Sequence, residues 1–369
     1  MKNCIHILGL ALLVATVADA AKLEYIDGSA ELLTSGDVDL YSSFLSASFL
    51  LTEQSELDVR IDFNNQDVEY RPHPLFDPFG SENDLSDNLV GATISYSHET
   101  GRHTLGATAT TYSGFRNYSS LWIDEYYRQQ YSSGGIPGVS YEDPEPNGYG
   151  LEFSERFELI PSTTYLTASV GYLRDQVAPG YEIGDLGSSF ELIRGDTVLH
   201  SWTGSVEIEG VLNKRMRTRQ TIRLTRTTSR ELRTGWNGAL NIAVSQNWIS
   251  RTSASFAHEN PNFEAWSVSQ TFEYSVSAKW SLGVTARYYE DTGQIESANL
   301  VSSAAPALDS QQFYLSLRRS NLENNSSFSL SIGPYTTNYA PTGIGTERFI
   351  NLYADRDWWW GRIAIRHAF

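Results

Sequence analysis

The side chains able to do chemistry fall into three groups. Over 205–224, Ser205, Glu207 and Glu209 interleave with Val206 and Ile208, while Arg217, Arg219 and Arg223 take the face opposite Met216, Ile222 and Leu224. Residues 113–148 gather Phe115, Tyr118, Trp122, Tyr126, Tyr127, Tyr131 and Tyr141 beside Asp124, Glu125, Glu142, Asp143 and Glu145. His98 and His103 flank a short break. Charges repeated on one face can sort solutes by sign. Aromatics beside carboxylates can stack on sugars or hold Ca²⁺, although the ordered spacing of a calcium loop is missing. Two histidines can face each other across a turn but make a poor metal site by themselves, and an interfacial place suits them better. The sequence contains no H-E-x-x-H, G-x-S-x-G or P-loop motif. Asp124, Glu142, His73 and His258 are the groups a hydrolase would draw on, yet none has a recognisable partner. No catalytic, metal or cofactor residue is assigned.

The elements that must position these groups repeat along the chain. From about Val38 to Phe369, stretches of roughly ten residues alternate apolar and polar, as in Leu57-Asp58-Val59-Arg60-Ile61-Asp62-Phe63-Asn64. Short breaks at 53–56, 99–102, 161–163, 212–215, 245–247, 277–279 and 321–325 alternate with longer connections near 70–88, 114–148, 177–197, 228–234, 259–264, 291–310 and 336–347. Short turns at one rim and long loops at the other mark a transmembrane barrel, whose closed ladder leaves no backbone edge in hydrocarbon. The expected fold is all-β: an antiparallel up-and-down barrel of about sixteen strands, with fourteen or eighteen as alternatives. Lys22–Leu33 supplies the first strand, and 348–369 supplies either one long final strand or a hairpin turning near 355–357.

Residues 1–20 read as a signal peptide. Lys2 gives a basic start, Ile5 to Val17 an apolar run too short to span a bilayer, and Ala18-Asp19-Ala20 a cleavage site. The barrel domain would then be 21–369. The single cysteine, Cys4, falls in the removed segment, so no disulfide is expected. Mean hydropathy is -0.33, as lumen-facing residues dilute lipid-facing ones. Against only 2 Met stand 21 Tyr and 9 Trp, a balance that suits strands with interfacial girdles. A net charge of -17 argues against nucleic acid as a partner.

Parity assigns the lumen. Arg60, Arg156, Arg251, Arg287, Arg318, Arg362 and Arg366 join Arg217, Arg219 and Arg223 inside, with Asp58, Asp62, Glu152, Glu158 and Glu273 as counterparts. A hairpin centred near Asn213 would set Glu207 opposite Arg219 and Glu209 opposite Arg217. These charges make either a selective constriction or a paired network that merely solvates the lumen. Ser327, Ser329 and Ser331, and Ser281, Gly283 and Thr285, would leave room for water. Trp236, Trp248, Trp266, Trp280 and Trp358-Trp359-Trp360 suit the membrane interface. The 113–148 loop is either a ligand surface built on Tyr118, Trp122, Asp124, Glu125, Tyr126, Tyr127 and Tyr131, or an ordered loop packed on itself or into the mouth.

Ile363, Ile365 and the terminal Phe369 share the outward parity. This end resembles the C-terminal assembly signal of bacterial outer-membrane β-barrel proteins, with His367 where that signal usually carries a bulky apolar or aromatic residue. The resemblance covers the chain as an architecture, names no specific family and carries no site residues. It implies the bacterial outer membrane as location, with its lipid and the barrel assembly machinery as partners. Three functions fit: a pore for small hydrophilic solutes, a plugged barrel that binds or anchors through its acidic aromatic loops, or a barrel hydrolase. Deleting Phe369 should impair assembly, read as loss of heat-modifiable electrophoretic migration in membrane fractions.

Overall fold

The alternation becomes long strands wherever it is sustained, because alternate side chains then meet lipid and water on opposite faces. A computed structural model describes residues 21–71, 83–132, 145–176, 181–186, 189–194, 198–228, 230–260, 263–293, 306–321, 325–340 and 352–369. The segment read as a signal peptide lies outside them. The first seven strands are β1 (Lys22–Thr34), β2 (Val38–Thr52), β3 (Ser55–Tyr70), β4 (Asn83–Thr100), β5 (His103–Ser113), β6 (Asn147–Ile160) and β7 (Thr164–Gln176). After a small hairpin, β8 (Tyr181–Leu186) and β9 (Ser189–Arg194), come β10 (Val198–Asn213), β11 (Met216–Thr227), β12 (Leu232–Ala243), β13 (Trp248–Glu259) and β14 (Phe263–Ser275). The set ends with β15 (Trp280–Asp291), β16 (Leu308–Asn321), β17 (Ser326–Tyr339) and β18 (Arg356–Ala368).

Each strand pairs antiparallel with its sequence neighbour, except that β7 pairs with β10 and the β8–β9 hairpin stands apart. The closing seam joins β18 to β1 from Tyr25↔Ala368 to Thr34↔Trp359, and the Phe369 amide donates to the Glu24 carbonyl at 2.8 Å. The result is one closed barrel of sixteen strands, as the sequence predicts. The tail is a single strand and not a hairpin. The last long connection runs over 340–355, later than the predicted 336–347, because β17 continues its alternation through Tyr339.

The outer face carries exposed Leu45, Phe153, Val170, Val206, Ile222, Leu315, Ile363 and Ile365. Trp236, Trp248, Trp266 and Trp280 are also exposed there, two of them against tyrosines: Trp248 on Tyr274 at 4.8 Å and Trp266 on Tyr288 at 4.9 Å between centroids. The run 358–360 divides, because successive strand residues point to opposite faces. Trp359 faces out, whereas Trp358 is buried inside and Trp360 donates to Glu31 Oε1 at 2.8 Å, so two of the three leave the predicted girdle. His98 and His103 also part company: the register sets Leu105 opposite His98, and the rings contact Ser55 Oγ (2.9 Å) and Glu155 Oε1 (2.7 Å).

The apolar core lies inside the mouth. After β5 the chain turns at Gly114, whose φ of 107° and close approach to β4 admit only glycine: a Cβ there would sit 2.2 Å from the Asn88 carbonyl oxygen. Phe115 is pinned by its amide to Asp87 (2.8 Å) and its carbonyl to Gln66 (2.6 Å). Asn117 then caps a helix, α1 (Tyr118–Ser132), by accepting from the Ser120 amide at 2.9 Å. Residues 121–126 are buried on every side of this helix, a pattern of an element enclosed by protein. Leu121, Trp122, Ile123 and Tyr126 pack with Val38, Val68, Tyr70 and Trp358, all from the inner wall, and Trp122 stacks obliquely on Tyr70 at 4.6 Å. Trp122→Ala should cost about 3–5 kcal/mol of α1 docking. Limited proteolysis should then cut within 118–132 while heat-modifiable migration of the barrel persists.

Candidate functional site

Cross-strand partners share a face, so the registers follow the inner wall around the whole barrel. From Glu207 the wall passes through Thr221, Asn237, Ser255, Ser267, Tyr289, Ser310 and Thr337 to Arg356. In the other direction it passes through Thr167 and Arg156 to Thr104 and Glu99. Each arginine and carboxylate assigned to the lumen from sequence parity lies on this inner face, as do the small residues of β15 and β17.

The charges are segregated, which parity alone does not reveal. On β10–β18 the inner face carries Arg217, Arg219, Arg223, Arg233, Arg251, Arg287, Arg318, Arg356, Arg362 and Arg366, with Glu207, Glu209, Glu259, Glu273 and Asp291. Guanidiniums outnumber carboxylates there two to one. On β1–β7 the balance reverses: Asp27, Glu31, Glu56, Asp58, Asp62, Asp87, Glu99, Glu152, Glu158 and Asp175 face Lys22, Arg60 and Arg156. One half-wall is therefore positive and the other negative. A low-dielectric shell around a charged lumen concentrates such a field.

The predicted charge ladder needs correction. Glu207 lies opposite Thr221 and Glu209 opposite Arg219, two residues from the expected register. The turn is Lys214-Arg215, and an irregularity between Val211 and Asn213 takes up one residue. A shift of two keeps every side chain on its face; a shift of one would put arginines into lipid, at about 2–4 kcal/mol each near the midplane. Arg219 now bridges both acids, with Nε 3.5 Å from Glu207 and Nη2 3.5 Å from Glu209, while Arg156 stands 3.8 Å from Glu209. Arg251 is paired with Glu273, which also accepts from Ser281 at 2.7 Å. Arg287 reaches the Gln312 amide oxygen at 3.3 Å. Among the described residues Arg217, Arg223, Arg318 and Arg362 form no ion pair.

Of the loop residues read as a ligand surface, those whose side chains are described lie in the packed interior. Trp122, Asp124, Glu125 and Tyr126 are buried; Glu125 is held by Arg128 (2.5 Å), Asn83 (3.0 Å) and Gln129 (2.9 Å). Tyr118 packs near Trp358. Tyr127 and Tyr131 belong to α1, but their side chains lie outside the description, as do His73 and Glu142. Of the two described hydrolase candidates, Asp124 is buried in α1 and His258 faces Glu264 at 3.4 Å on the outer side, so these two do not converge. Among the described residues no set of three metal-ligating side chains gathers.

Beside the segment that leads into α1 the described residues enclose an open cavity of about 540 Å³ against β7 and β10–β15. Arg116, Arg223, Arg230 and Arg233 line it with Asp175, Glu231 and Glu259, among hydroxyls from β10 and β11. Sequence reasoning missed Arg116 and Arg233 because the first lies in the connection after β5 and the second at the start of β12, where parity carries little signal.

It missed the clamp at the barrel seam for the same reason. Arg356 binds Asp37, in the β1–β2 connection, with Nε and Nη2 both 2.9 Å from the carboxylate, and Nη1 holds the carbonyls of Leu352 (3.0 Å) and Ala354 (3.1 Å). Burial pushes the Asp37 carboxyl up, but the Arg356 hydrogen bonds and charge outweigh this and hold it below its ordinary value. Burial, with Tyr118 nearby, pushes the Tyr353 hydroxyl up to about 12.

No family model and no curated protein matches the chain. Among solved structures it is similar to CdiB from Acinetobacter baumannii, with a TM-score of 0.52 at 10% identity, over 94% of this chain and 60% of that one. It is also similar to a bacterial polysaccharide outer membrane secretin, with a TM-score of 0.50 at 8% identity, over 94% of this chain and 98% of that one. At such identities the likeness establishes the fold alone, a closed antiparallel barrel of the kind bacterial outer-membrane proteins have.

The Asp37 shift sets a pH dependence. A carboxyl with a lowered folded pKa contributes in full above its unfolded value, near 4, and the contribution is lost as pH falls through the lower folded value. The difference in melting temperature between wild type and Asp37→Asn should thus be constant from neutral pH to about pH 5 and shrink below about pH 4, measured by thermal scans in one detergent.

Proposed function

We propose that this barrel is an outer-membrane channel for small hydrophilic solutes and that it favours anions. One observation carries the reading: α1 covers part of the acidic half-wall, and the cavity left beside it lies against the half-wall where arginines are in excess. Hydroxyl pairs support an aqueous path on that side, including Ser169 with Ser205 (2.8 Å), Ser255 with Ser267 (2.7 Å) and Thr271 with Thr285 (2.8 Å). Exposed loop charges are screened beyond about 8 Å at physiological salt, so the net acidity of the chain does not set the sign inside. In this reading the outer face meets outer-membrane lipid, and the barrel assembly machinery inserts the chain.

A plugged barrel that binds a ligand at its surface is the second reading, favoured by the core-like packing of α1 in the mouth. Purified protein in a planar bilayer separates the two. A channel gives discrete conductance steps, and a salt gradient gives a reversal potential displaced toward anions. Arg219→Gln with Arg223→Gln should move that potential toward cations, since the first leaves Glu207 without an ion pair and Glu209 with Arg156 alone, and the second removes an unpaired guanidinium. Absence of conductance would overturn the channel, and unchanged selectivity in the double variant would reduce these arginines to structural partners.

A further inference from the structure

The cavity beside α1 has a composition more specific than a charged path requires. Two hydroxyl pairs cross its β10–β11 wall, Ser201 with Thr227 at 2.8 Å and Thr203 with Thr225 at 3.4 Å. Each hydroxyl carries one donor and two acceptor sites, so mutual pairing leaves capacity for a ligand. Arg223 projects among them, exposed to the cavity and without an ion-pair partner among the described residues. The flanking guanidiniums are already engaged: Arg233 with Glu259 at 2.8 Å and Arg116 with Asp175 at 3.1 Å. With Arg230 and Glu231 counted, the lining holds one more guanidinium than carboxylates.

We propose that this cavity is a binding site for a hydroxylated organic anion of sugar size, with Arg223 holding the carboxylate or phosphate and the serine and threonine hydroxyls of β10 and β11 holding the polyol. The volume lies within the range of small-molecule sites, about 300–1,000 Å³. A single uncommitted guanidinium fits one anionic group, because the paired arginines beside it would have to break ion pairs to bind a second. The hydroxyl wall supplies what a simple anion cannot use. Selectivity therefore comes from charge and hydroxyls together, each weak by itself. The proposal deepens the channel reading by naming its solute, and its test reads binding apart from conduction.

The test uses the full-length protein in detergent, titrated calorimetrically with D-gluconate, D-glucose and acetate, which carry both features, hydroxyls alone and charge alone. Gluconate should bind at least about tenfold more tightly than either of the others, the difference one charge-assisted contact supplies. Arg223→Gln should erase that preference, Arg223→Lys should retain part of it, and Thr203→Val with Thr225→Val should weaken gluconate but leave acetate unchanged. Heat-modifiable migration checks that every variant is folded. Equal affinity for the three probes, or gluconate binding indifferent to both Arg223 variants, overturns the site. A protein that binds gluconate through Arg223 but passes no current keeps the site and loses the channel; one that conducts without preferring gluconate loses the site alone.

Discussion

The constraint on which this structure depends is the closed backbone ladder. Hydrocarbon offers no partner to a free amide or carbonyl, so the sheet has to return on itself, and the β18–β1 pairing is what removes its last edges. Closure also fixes the faces. Once the seam is made, each side chain along all sixteen strands points either to lipid or to the lumen, and a register error of one residue would propagate as buried charge in lipid. An offset of two carries no such cost, and the β10–β11 hairpin shows one relative to its simplest reading. The seam is reinforced at the long-loop end by Asp37 and Arg356, a bidentate pair with the guanidinium buried, which joins the start of the last strand to the first connection.

A polar lumen would ordinarily fill with water, yet part of this one is packed like a protein core. The inner face near the long-loop rim is apolar on β1–β4, β17 and β18, through Leu33, Val38, Leu40, Val68, Leu85, Tyr335 and Trp358, and α1 buries its Trp122 against it. The two surfaces explain each other. Neither the apolar inner patch nor the apolar helix would be stable facing water, and folding the loop inward satisfies both. Glu125 and Asp124 are carried along by the helix, and Glu125 is tolerated because Arg128, Asn83 and Gln129 complete its hydrogen bonds.

Docking of α1 also decides which charges line the open part of the lumen. It lies on the side where carboxylates prevail and leaves the arginine side facing the cavity, so the charge lining the cavity differs from that of the wall as a whole. The distinction between Arg219 and Arg223 has the same origin. Both point inward from β11, but Arg219 sits between Glu207 and Glu209, whereas Arg223 lies opposite Ser205.

What the sequence determined by itself is what repeats locally: strand positions, short turns, barrel closure, and which residues face lipid or lumen, since a period of two follows directly from strand geometry and needs no knowledge of neighbours. It also placed Arg60, Arg251 and Arg318 inside without difficulty. Tertiary structure decided the rest. The pairing of Glu209 with Arg219 depends on where a turn bulges; the burial of Trp122 depends on an inner wall supplied by β3 and β18, more than fifty and two hundred residues away along the chain. The separation of positive from negative walls depends on which strands become neighbours when the ladder closes. These are relations between distant segments, carried by packing and hydrogen bonding across the barrel, and alternation within one strand contains no record of them.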